Sequence, residues 1–373
     1  MKVLCFGRFY DEIPGGMQRH VEQLFAALRG QVEFVHLVPS RDRTGARFTL
    51  HGFPVIRTPS LNLDGSIALS PGLVAHARRL HQEHRFDLVH LHFPDPMSHL
   101  ASLALPASIP RVISWHADIL RHRRLLALYR PLLRRAVASA KAIIVATPAH
   151  ISASEELSRL LDSSRIDVIP FGFDLERFGS EHCMAAAVRR QYPGRLIFTL
   201  GRHVSYKGFN VLIEAMTSVD ESARLLIGGT GPLTETWKAL ADRLGVAHRV
   251  HFLGLLDDAA LPAYYQACDV FCLPAITQAE AFGIVQVEAM ASGRPVVSTR
   301  LGNGVDYVNQ DGVTGLAVPP GAPRPLAEAL NRLLRDPALA AEMGQRGRTR
   351  AATEFSSGVM GNRTLEVYRR ALR

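Results

Sequence analysis

The sequence predicts an α/β protein with two doubly wound parallel sheets, one in each half of the chain. Its 373 residues are 47% hydrophobic and 21% charged, a globular composition with enough length for two domains. Short aliphatic or β-branched runs alternate with longer helical patterns from one end to the other, as in successive βαβ units. The alternation breaks once, at Pro170 to Asp174 and an irregular stretch up to about residue 193. This break predicts the junction between two domains.

Each half contains the expected elements in order. The first half predicts strands near 2–6, 32–37, 53–57, 87–91, 110–114, 141–145 and 166–169, with helices near 16–29, 71–84, 121–139 and 148–157. The second half predicts strands near 195–200, 223–227, 249–252, 269–273, 295–299 and 315–318, with helices near 208–218, 231–244, 258–267, 283–292 and 323–335. We expect domains over 1–170 and 171–355 that face each other across a cleft. A C-terminal helix over 356–373 is expected to pack back on the first domain.

Composition limits the function classes. The net charge is +9, but the basic residues are not interleaved with aromatic ones in a recognisable module, so we expect no nucleic-acid partner. The chain has no run of about 18 apolar residues and its first strand is too short for a signal peptide, so a cytoplasmic location is predicted. Its four cysteines are too few for a disulfide framework in a chain of this length and are expected to be reduced thiols.

In a doubly wound sheet, ligands bind in the loops that follow the strands, so those loops carry the candidate site. The first such loop contains Gly15 and Gly16 directly before a predicted helix. Paired glycines at a helix start let main-chain N–H groups approach an anion closely. An ordinary tight turn is the alternative.

The second loop, after the strand that ends at Leu200, carries Arg202 and Lys207 on either side of a helix start. Two cations five residues apart suit a diphosphate, because charge-assisted hydrogen bonds can reach both phosphoryl groups. The alternative is a solvated turn.

The third loop carries two carboxylates at different depths. Glu280 precedes a helix that begins near Gly283, and Glu288 lies between one and two turns into that helix. One carboxylate is suited to sugar hydroxyls and the other to a ribose, with the N–H groups of the first helical turn available to phosphate. A structural salt bridge is the alternative.

Two weaker signals complete the set. Gly229 belongs to a glycine-rich loop that is equally typical of a tight turn. His116 follows a strand at the edge where a ligand is expected, whereas His90 and His92 alternate on a strand and are equally well explained by packing.

In this order, the motifs resemble the family 4 retaining glycosyltransferases of GT-B architecture, which have two Rossmann-like domains. The resemblance covers nearly the whole chain, and its most specific part is the pair Glu280 and Glu288 with seven residues between them. The supporting matches are Gly15-Gly16, Gly201-Arg202 with Lys207-Gly208, Gly229 to Pro232, Ile169 to Asp174 with Phe178, and Asp311 to Leu316.

The resemblance implies a role for each site residue. Donor diphosphate binding is implied for Gly16, Arg202, Lys207 and Gly283; ribose or sugar binding for Glu288, Phe282 and Gly229; and catalytic roles beside the transferred sugar for His116 and Glu280. The family's usual Asn-Gly at the junction is Phe171-Gly172 here, and we expect this departure not to touch the chemistry.

The resemblance also implies a mechanism without a dedicated nucleophile. The acceptor hydroxyl attacks on the face that the nucleotide leaves, and stabilisation of the departing diphosphate supplies most of the catalysis. The sequence has no Asp-x-Asp element of metal-dependent glycosyltransferases, so no metal and no cofactor are predicted. The nucleotide-sugar is a substrate, expected to be GDP-linked.

The acceptor side is predicted from charge. Residues 1–170 hold 21 Lys and Arg against 14 Asp and Glu, and residues 120–135 form a basic, leucine-bearing helical stretch. Such a helix suits anionic lipid headgroups, although packing of its leucines on the sheet explains the pattern equally well. The expected acceptor is a saccharide or a lipid-linked saccharide at the inner face of the membrane.

The segments from His116 and from Asp306 are similar to bacterial mannosyl- and rhamnosyltransferases of lipopolysaccharide O-antigen synthesis, which suggests a mannose-type sugar. A nucleotide-sugar 2-epimerase of the same architecture is the alternative function.

Overall fold

The computed structural model describes residues 1–8, 16–41, 43–63, 67–116, 123–154, 157 and 163–373. The chain divides into two compact units. The first unit comprises Met1–Phe173 together with Ser356–Arg373, and the second comprises Asp174–Phe355. The last helix therefore belongs to the first unit although it follows the second in sequence.

The first unit is built on an eight-stranded sheet. Its strands and a separate two-stranded ribbon (β5 and β6) are β1 Lys2–Phe6, β2 Glu33–Pro39, β3 Ala46–Leu50, β4 Phe53–Thr58, β5 Leu61–Leu63, β6 Ile67–Leu69, β7 Leu88–Phe93, β8 Arg111–Trp115, β9 Ala140–Val145 and β10 Ile166–Val168. Its first helices are α1 Gly16–Ala27, α2 Gly72–His84, α3 Pro96–Leu103, α4 Arg123–Ser139 and α5 Pro148–Ala153. The strand order is β10-β9-β8-β7-β1-β2-β4-β3, parallel throughout except for the edge pair β3 and β4.

The second unit is built on a six-stranded parallel sheet. Its strands are β11 Arg195–Leu200, β12 Ala223–Gly228, β13 Val250–Gly254, β14 Val270–Leu273, β15 Val296–Thr299 and β16 Gly315–Val318. The helices are α6 Glu176–Gly179, α7 Ala185–Gln191, α8 Phe209–Ala215, α9 Thr234–Arg243, α10 Leu261–Ala267, α11 Ile284–Ala291, α12 Gly304–Val308, α13 Pro323–Arg335 and α14 Pro337–Glu354. The strand order is β13-β12-β11-β14-β15-β16, so the order in which strands are added along the sheet changes direction between β11 and β14. Open α/β sheets bind ligands at such a point.

The last helix, α15 (Ser357–Ala371), completes the core of the first unit. Leu365 and Tyr368 are buried in the same cluster as Val3 and Leu24, and a Cβ on Gly361 would lie 2.8 Å from the Cβ of Ala27 in α1. Close contact between α1 and α15 therefore requires a residue without a side chain at position 361.

The predicted α/β class with two Rossmann-like parallel sheets is confirmed. The sequence did not predict β3, the two-stranded ribbon, or the helices α3, α6, α7 and α12. For α3 the signal was present, because the Asp95 carboxylate accepts hydrogen bonds from the main-chain N–H groups of Met97 and Ser98, and Pro96 stands at the first helical position. Within the described residues, no helix is both long and apolar enough to cross a bilayer.

Candidate active site

Two of the predicted loops meet at the carboxyl edge of the second sheet. The loop after β11 carries Lys207, and the loop after the neighbouring strand β14 carries Glu280. Lys207 Nζ donates a hydrogen bond of 2.5 Å to Glu280 Oε2. Each residue is only 9% exposed, so the two charges lie in a partly desolvated ion pair at the point where the strand order reverses. The salt bridge that was the alternative interpretation of Glu280 is therefore present. Its other member is Lys207, the lysine that is predicted to bind phosphate.

Two glycines set the position of Lys207. The lysine side chain lies over Gly201, where a Cβ would come 3.1 Å from Lys207 Cε. Gly208 caps α8 with φ +67, and a Cβ there would lie 2.0 Å from the carbonyl oxygen of Pro274. Only glycine allows this approach, so Gly208 holds the lysine loop against the glutamate loop.

A residue that the sequence analysis missed supports Glu280. Asn303, in the loop after β15, donates from Nδ2 to the main-chain oxygen of Glu280 at 2.8 Å. Its Oδ1 accepts from the N–H of Val305 and caps α12. The only signal for it in the sequence is a Gly-Asn-Gly loop after a strand.

Gly283 lies at the predicted helix start, and the adjacent Phe282 has a buried side chain. Gly283 is the N-cap of α11 with φ +70, and a Cβ there would lie 2.6 Å from a side-chain carbon of Leu273. The Phe282 side chain is 4% exposed and packs edge-on against Phe355. The Phe282 ring thus packs in the interior of the second unit, and its predicted contact with the sugar or ribose stays a prediction.

Glu288 lies half-buried in the second turn of α11, as predicted. The hydroxyl of Tyr265, in α10, donates to Glu288 Oε2 at 2.7 Å. Burial, with the adjacent carboxylate of Glu288, raises the pKa of Tyr265 well above its ordinary value, so the phenol stays protonated and acts as a donor. The sequence contained no signal for Tyr265 beyond a buried position in a helix.

Gly229 and Arg202 complete the second unit's predicted residues. A Cβ on Gly229 would lie 2.1 Å from the main-chain oxygen of Gly201, and its φ is +106. This close packing of two loops accounts for the glycine without a ligand, which agrees with the tight-turn interpretation. Arg202 is exposed on the same loop as Lys207, so it is accessible to a phosphate from solvent.

The remaining predicted residues lie in the first unit. His116 directly follows β8, and its Nε2 lies 2.8 Å from Nδ1 of His92 in β7. Burial, followed by the charges of neighbouring histidines, holds the pKa of His116 well below its ordinary value, so its imidazole is neutral near pH 7. Gly16 is the exposed first residue of α1, whereas Gly15 lies outside the described residues.

Phe171, which was expected not to touch the chemistry, lies against the predicted catalytic histidine. Its ring stacks on His116 with centroids 5.8 Å apart and meets His20 edge-on at 5.3 Å. The residue that departs from the family pattern thus forms an apolar wall against the predicted catalytic histidine.

Two family models match the chain. Residues 14–177 match Glycosyltransferase Family 4, and residues 187–350 match Glycosyl transferases group 1. Three of its relatives match over nearly the whole chain. The chain is 32% identical to the D-rhamnosyltransferase WbpZ of Pseudomonas aeruginosa (96% of this chain, 93% of the relative). It is 28% identical to the O-antigen chain mannosyltransferase C of Escherichia coli (99% and 98%). It is 30% identical to the GDP-mannose-dependent alpha-(1-6)-phosphatidylinositol monomannoside mannosyltransferase of Mycolicibacterium smegmatis (95% and 94%).

A solved structure supports the fold. HepE of Anabaena, determined in complex with UDP, superposes with a TM-score of 0.77 at 22% identity and covers 99% of this chain and 100% of its own. All three relatives are named as transferases of rhamnose or mannose, so the alternative of an epimerase is not supported.

Proposed function

Because this chain belongs to the family 4 glycosyltransferases of GT-B architecture and is a hexosyltransferase, we propose that it moves a mannose-type sugar from a GDP-linked donor, with retention, to a saccharide or lipid-linked acceptor. The product would be part of a surface polysaccharide or lipopolysaccharide. This proposal places transfer in the cytoplasm, at the inner face of the membrane.

The observation that carries the proposal is the buried pair of Lys207 and Glu280, together with the half-buried Glu288 in the helix that follows the Glu280 loop. These residues supply the two kinds of group that a nucleotide-sugar needs. Lys207 suits the diphosphate, and carboxylates suit the hydroxyls of the sugar and the ribose. Loops after adjacent strands supply these groups at the reversal of the strand order, where ligands of such sheets bind.

The names of the relatives support the choice of donor. One relative is named as GDP-mannose-dependent and another as an O-antigen chain mannosyltransferase, while a third transfers D-rhamnose, also a hexose. Together they favour a GDP-linked mannose-type sugar over other donors.

The proposed mechanism needs no metal. When the bond from the sugar to the diphosphate breaks, negative charge develops on the phosphate oxygens. Lys207 and the exposed Arg202 are suited to stabilise that charge, and fixed cations in a partly desolvated site do so with little reorganisation. Glu280 would hold the sugar while the acceptor hydroxyl attacks from the same face.

A nucleotide screen followed by product analysis tests this proposal. Thermal shifts with GDP, UDP, ADP and TDP should show the largest stabilisation with GDP, because a ligand that binds only the folded state stabilises it by RT ln(1 + [L]/Kd). With donor, acceptor and EDTA present, NMR should show a product that retains the anomeric configuration of the donor. A larger shift with UDP would reject the GDP assignment, and loss of transfer in EDTA would reject metal-independent transfer.

The proposed membrane contact rests on α4. Leu128 is 80% exposed there and Arg134 and Arg135 are exposed, while Leu133 of the same helix is fully buried in the core. Residues 120–122 of the predicted basic stretch lie outside the described residues. An exposed leucine beside two arginines is suited to an anionic lipid surface, whereas Leu133 fits the packing alternative.

Flotation with liposomes that contain anionic lipids tests the contact at low salt. The wild-type chain should float, and Leu128→Asp should float several-fold less, because it places a carboxylate against the lipid charge. Leu255→Asp is the matched control, since Leu255 is an equally exposed leucine (81%) in the second unit. Equal flotation of the two variants, or none by the wild type, would exclude α4 as the contact.

A further inference from the structure

Three histidines from separate elements converge in the first unit. His20 lies in α1, His92 at the end of β7, and His116 directly after β8. One ring nitrogen from each lies within 4.8 Å of those of the other two. Their ring centroids are 5.1 to 5.6 Å apart. The strands β1 and β7 are neighbours at the point where the strand order of this sheet reverses, so the cluster occupies the position at which such sheets bind ligands.

Hydrogen bonding inside the protein accounts for only part of this cluster, namely the contact between His92 Nδ1 and His116 Nε2 at 2.8 Å. Among the described residues, no partner is found for Nδ1 of His20 or Nε2 of His92, although both atoms are buried. His20 is 9% exposed and His92 is 1% exposed. Buried polar atoms normally have a partner, so two orphaned imidazole nitrogens in one cluster are available to a ligand.

The neighbouring His90 shows what a purely structural histidine looks like in this core. Its Nε2 lies 2.8 Å from Ser114 Oγ, and its Nδ1 lies 2.6 Å from the hydroxyl of Tyr368. Both nitrogens are therefore occupied. A second possible ligand group, formed by Cys5, His90 and His92, is less suitable for this reason.

We propose that His20, His92 and His116 form a binding site for a late first-row divalent metal ion, with Zn²⁺ as the best fit. Three imidazoles and one open position are a typical zinc ligand set. Two nitrogens that bind a tetrahedral ion at about 2.1 Å lie roughly 3.4 Å apart. One ring nitrogen of each histidine lies within 4.8 Å of those of the other two, so side-chain rotations that shorten these distances complete the site.

The site is reachable and has an apolar wall. His116 is half-buried, so solvent reaches the cluster on its side. Phe171 covers His116 and His20 from one side. Transfer itself needs no metal in our proposal, so this ion is a separate ligand of the first unit.

One consequence rests on the proposed function. If His116 contacts the transferred sugar, an ion bound to His116 competes with that contact, so Zn²⁺ inhibits transfer and EDTA restores it.

Binding is tested on the full chain without a histidine tag, in a Cys183→Ser background that removes an exposed thiol. After treatment with a chelator, calorimetric titration with Zn²⁺ should show a single ion bound per chain, and Co²⁺ should show the strong d–d absorption of a tetrahedral site. His116→Gln and His20→Gln should each weaken Zn²⁺ binding by at least about tenfold. His248→Gln, an exposed histidine of the second unit, is the matched control and should leave binding unchanged.

The outcomes separate the alternatives. Circular dichroism establishes that each variant is folded. If one of the two ligand variants does not fold, the other one still tests the site. No Zn²⁺ binding by the parent chain, or Zn²⁺ binding by both His116→Gln and His20→Gln that is as tight as that of the parent chain, overturns the site. Loss of binding in Cys5→Ala alone assigns the ion to the other group and also overturns it. Zn²⁺ binding without inhibition keeps the ion site and contradicts only the role of His116 in transfer.

Discussion

Lys207 and Glu280 neutralise each other's charge in a partly desolvated ion pair. Truncation of one partner leaves the other charge buried and unpaired, which costs about 3–5 kcal/mol in comparable buried pairs. Alanine variants therefore mix a loss of stability with a loss of function, and the two effects must be separated by the choice of substitution.

Glu280→Gln and Lys207→Met are expected to reduce transfer by about 100-fold or more, as when one group that stabilises a transition state is removed. The double variant should recover much of the stability that Lys207→Met loses, because it leaves no unpaired charge, and should stay inactive. Initial rates and urea denaturation measure the two effects. Wild-type turnover by either single variant would remove the pair from the active site.

Tyr265 is a positioning residue for Glu288 through the 2.7 Å hydrogen bond. Tyr265→Phe keeps the packing and removes the hydroxyl, and a hydrogen bond to a charged group contributes roughly 1.5–3 kcal/mol. We expect the KM for the donor to rise about tenfold with a smaller change in kcat. Tyr264→Phe, at the adjacent position, is the control and should leave the KM unchanged. An equal effect of the two substitutions would contradict a specific role for Tyr265.

At the scale of elements, the start of α8 joins two loops of the site. Gly208→Ala places an alanine in a left-handed backbone conformation and puts its Cβ 2.0 Å from the main-chain oxygen of Pro274. Gly245 has a similar φ of +74 and open space around its Cβ position, so it isolates the backbone cost. We expect Gly245→Ala to lose about 1–2 kcal/mol of unfolding free energy and Gly208→Ala clearly more.

Chemical denaturation with donor titration checks this prediction. Gly208→Ala should also weaken donor binding, since the displaced loop carries Lys207, whereas Gly245→Ala should bind the donor normally. Equal losses of stability in the two variants would show that the loops do not require close contact at Gly208.

At the scale of the whole molecule, the first unit is completed by the C-terminal helix α15. Its buried apolar residues are Met360, Leu365, Val367 and Tyr368. Burial of a large apolar side chain contributes about 1.5–3 kcal/mol, so these four together approach the entire stability of an ordinary domain.

Deletion of residues 356–373 should therefore unfold the first unit. Limited proteolysis should degrade residues 1–173 rapidly and leave a resistant fragment within 174–355, which has its own core. Deletion of Leu372 and Arg373 alone is the control, because both residues are exposed. Equal resistance of residues 1–173 in the two truncated chains would show that α15 is not part of the first unit's core.

Much of the fold was predictable because its signals are local. Alternation of short apolar runs with helical periodicity placed strands such as β11 and β16 with the bounds that the structure has. The elements that were missed lack such a signal. In β3 the strand is an antiparallel edge whose side chains are partly or fully exposed, so no buried run marks it.

The candidate site was predictable in part. Glu280, Glu288 and Lys207 follow strands in the expected loops, because a parallel sheet gathers those loops at one edge. The burial of the Phe282 side chain was not predictable, since it depends on Phe355, which lies far away in the chain.

The sequence by itself determined the class of fold, the loops that follow each strand and the family to which the chain belongs. Periodicity, glycine spacing and motif order are properties of the sequence itself, so they can be recognised without knowledge of the fold. Only the tertiary structure decided which groups touch. Lys207 and Glu280 are 73 residues apart, and Tyr265 and Glu288 are 23 apart. The convergence of His20, His92 and His116 depends on strand order, which brings distant segments together through packing that no local pattern encodes.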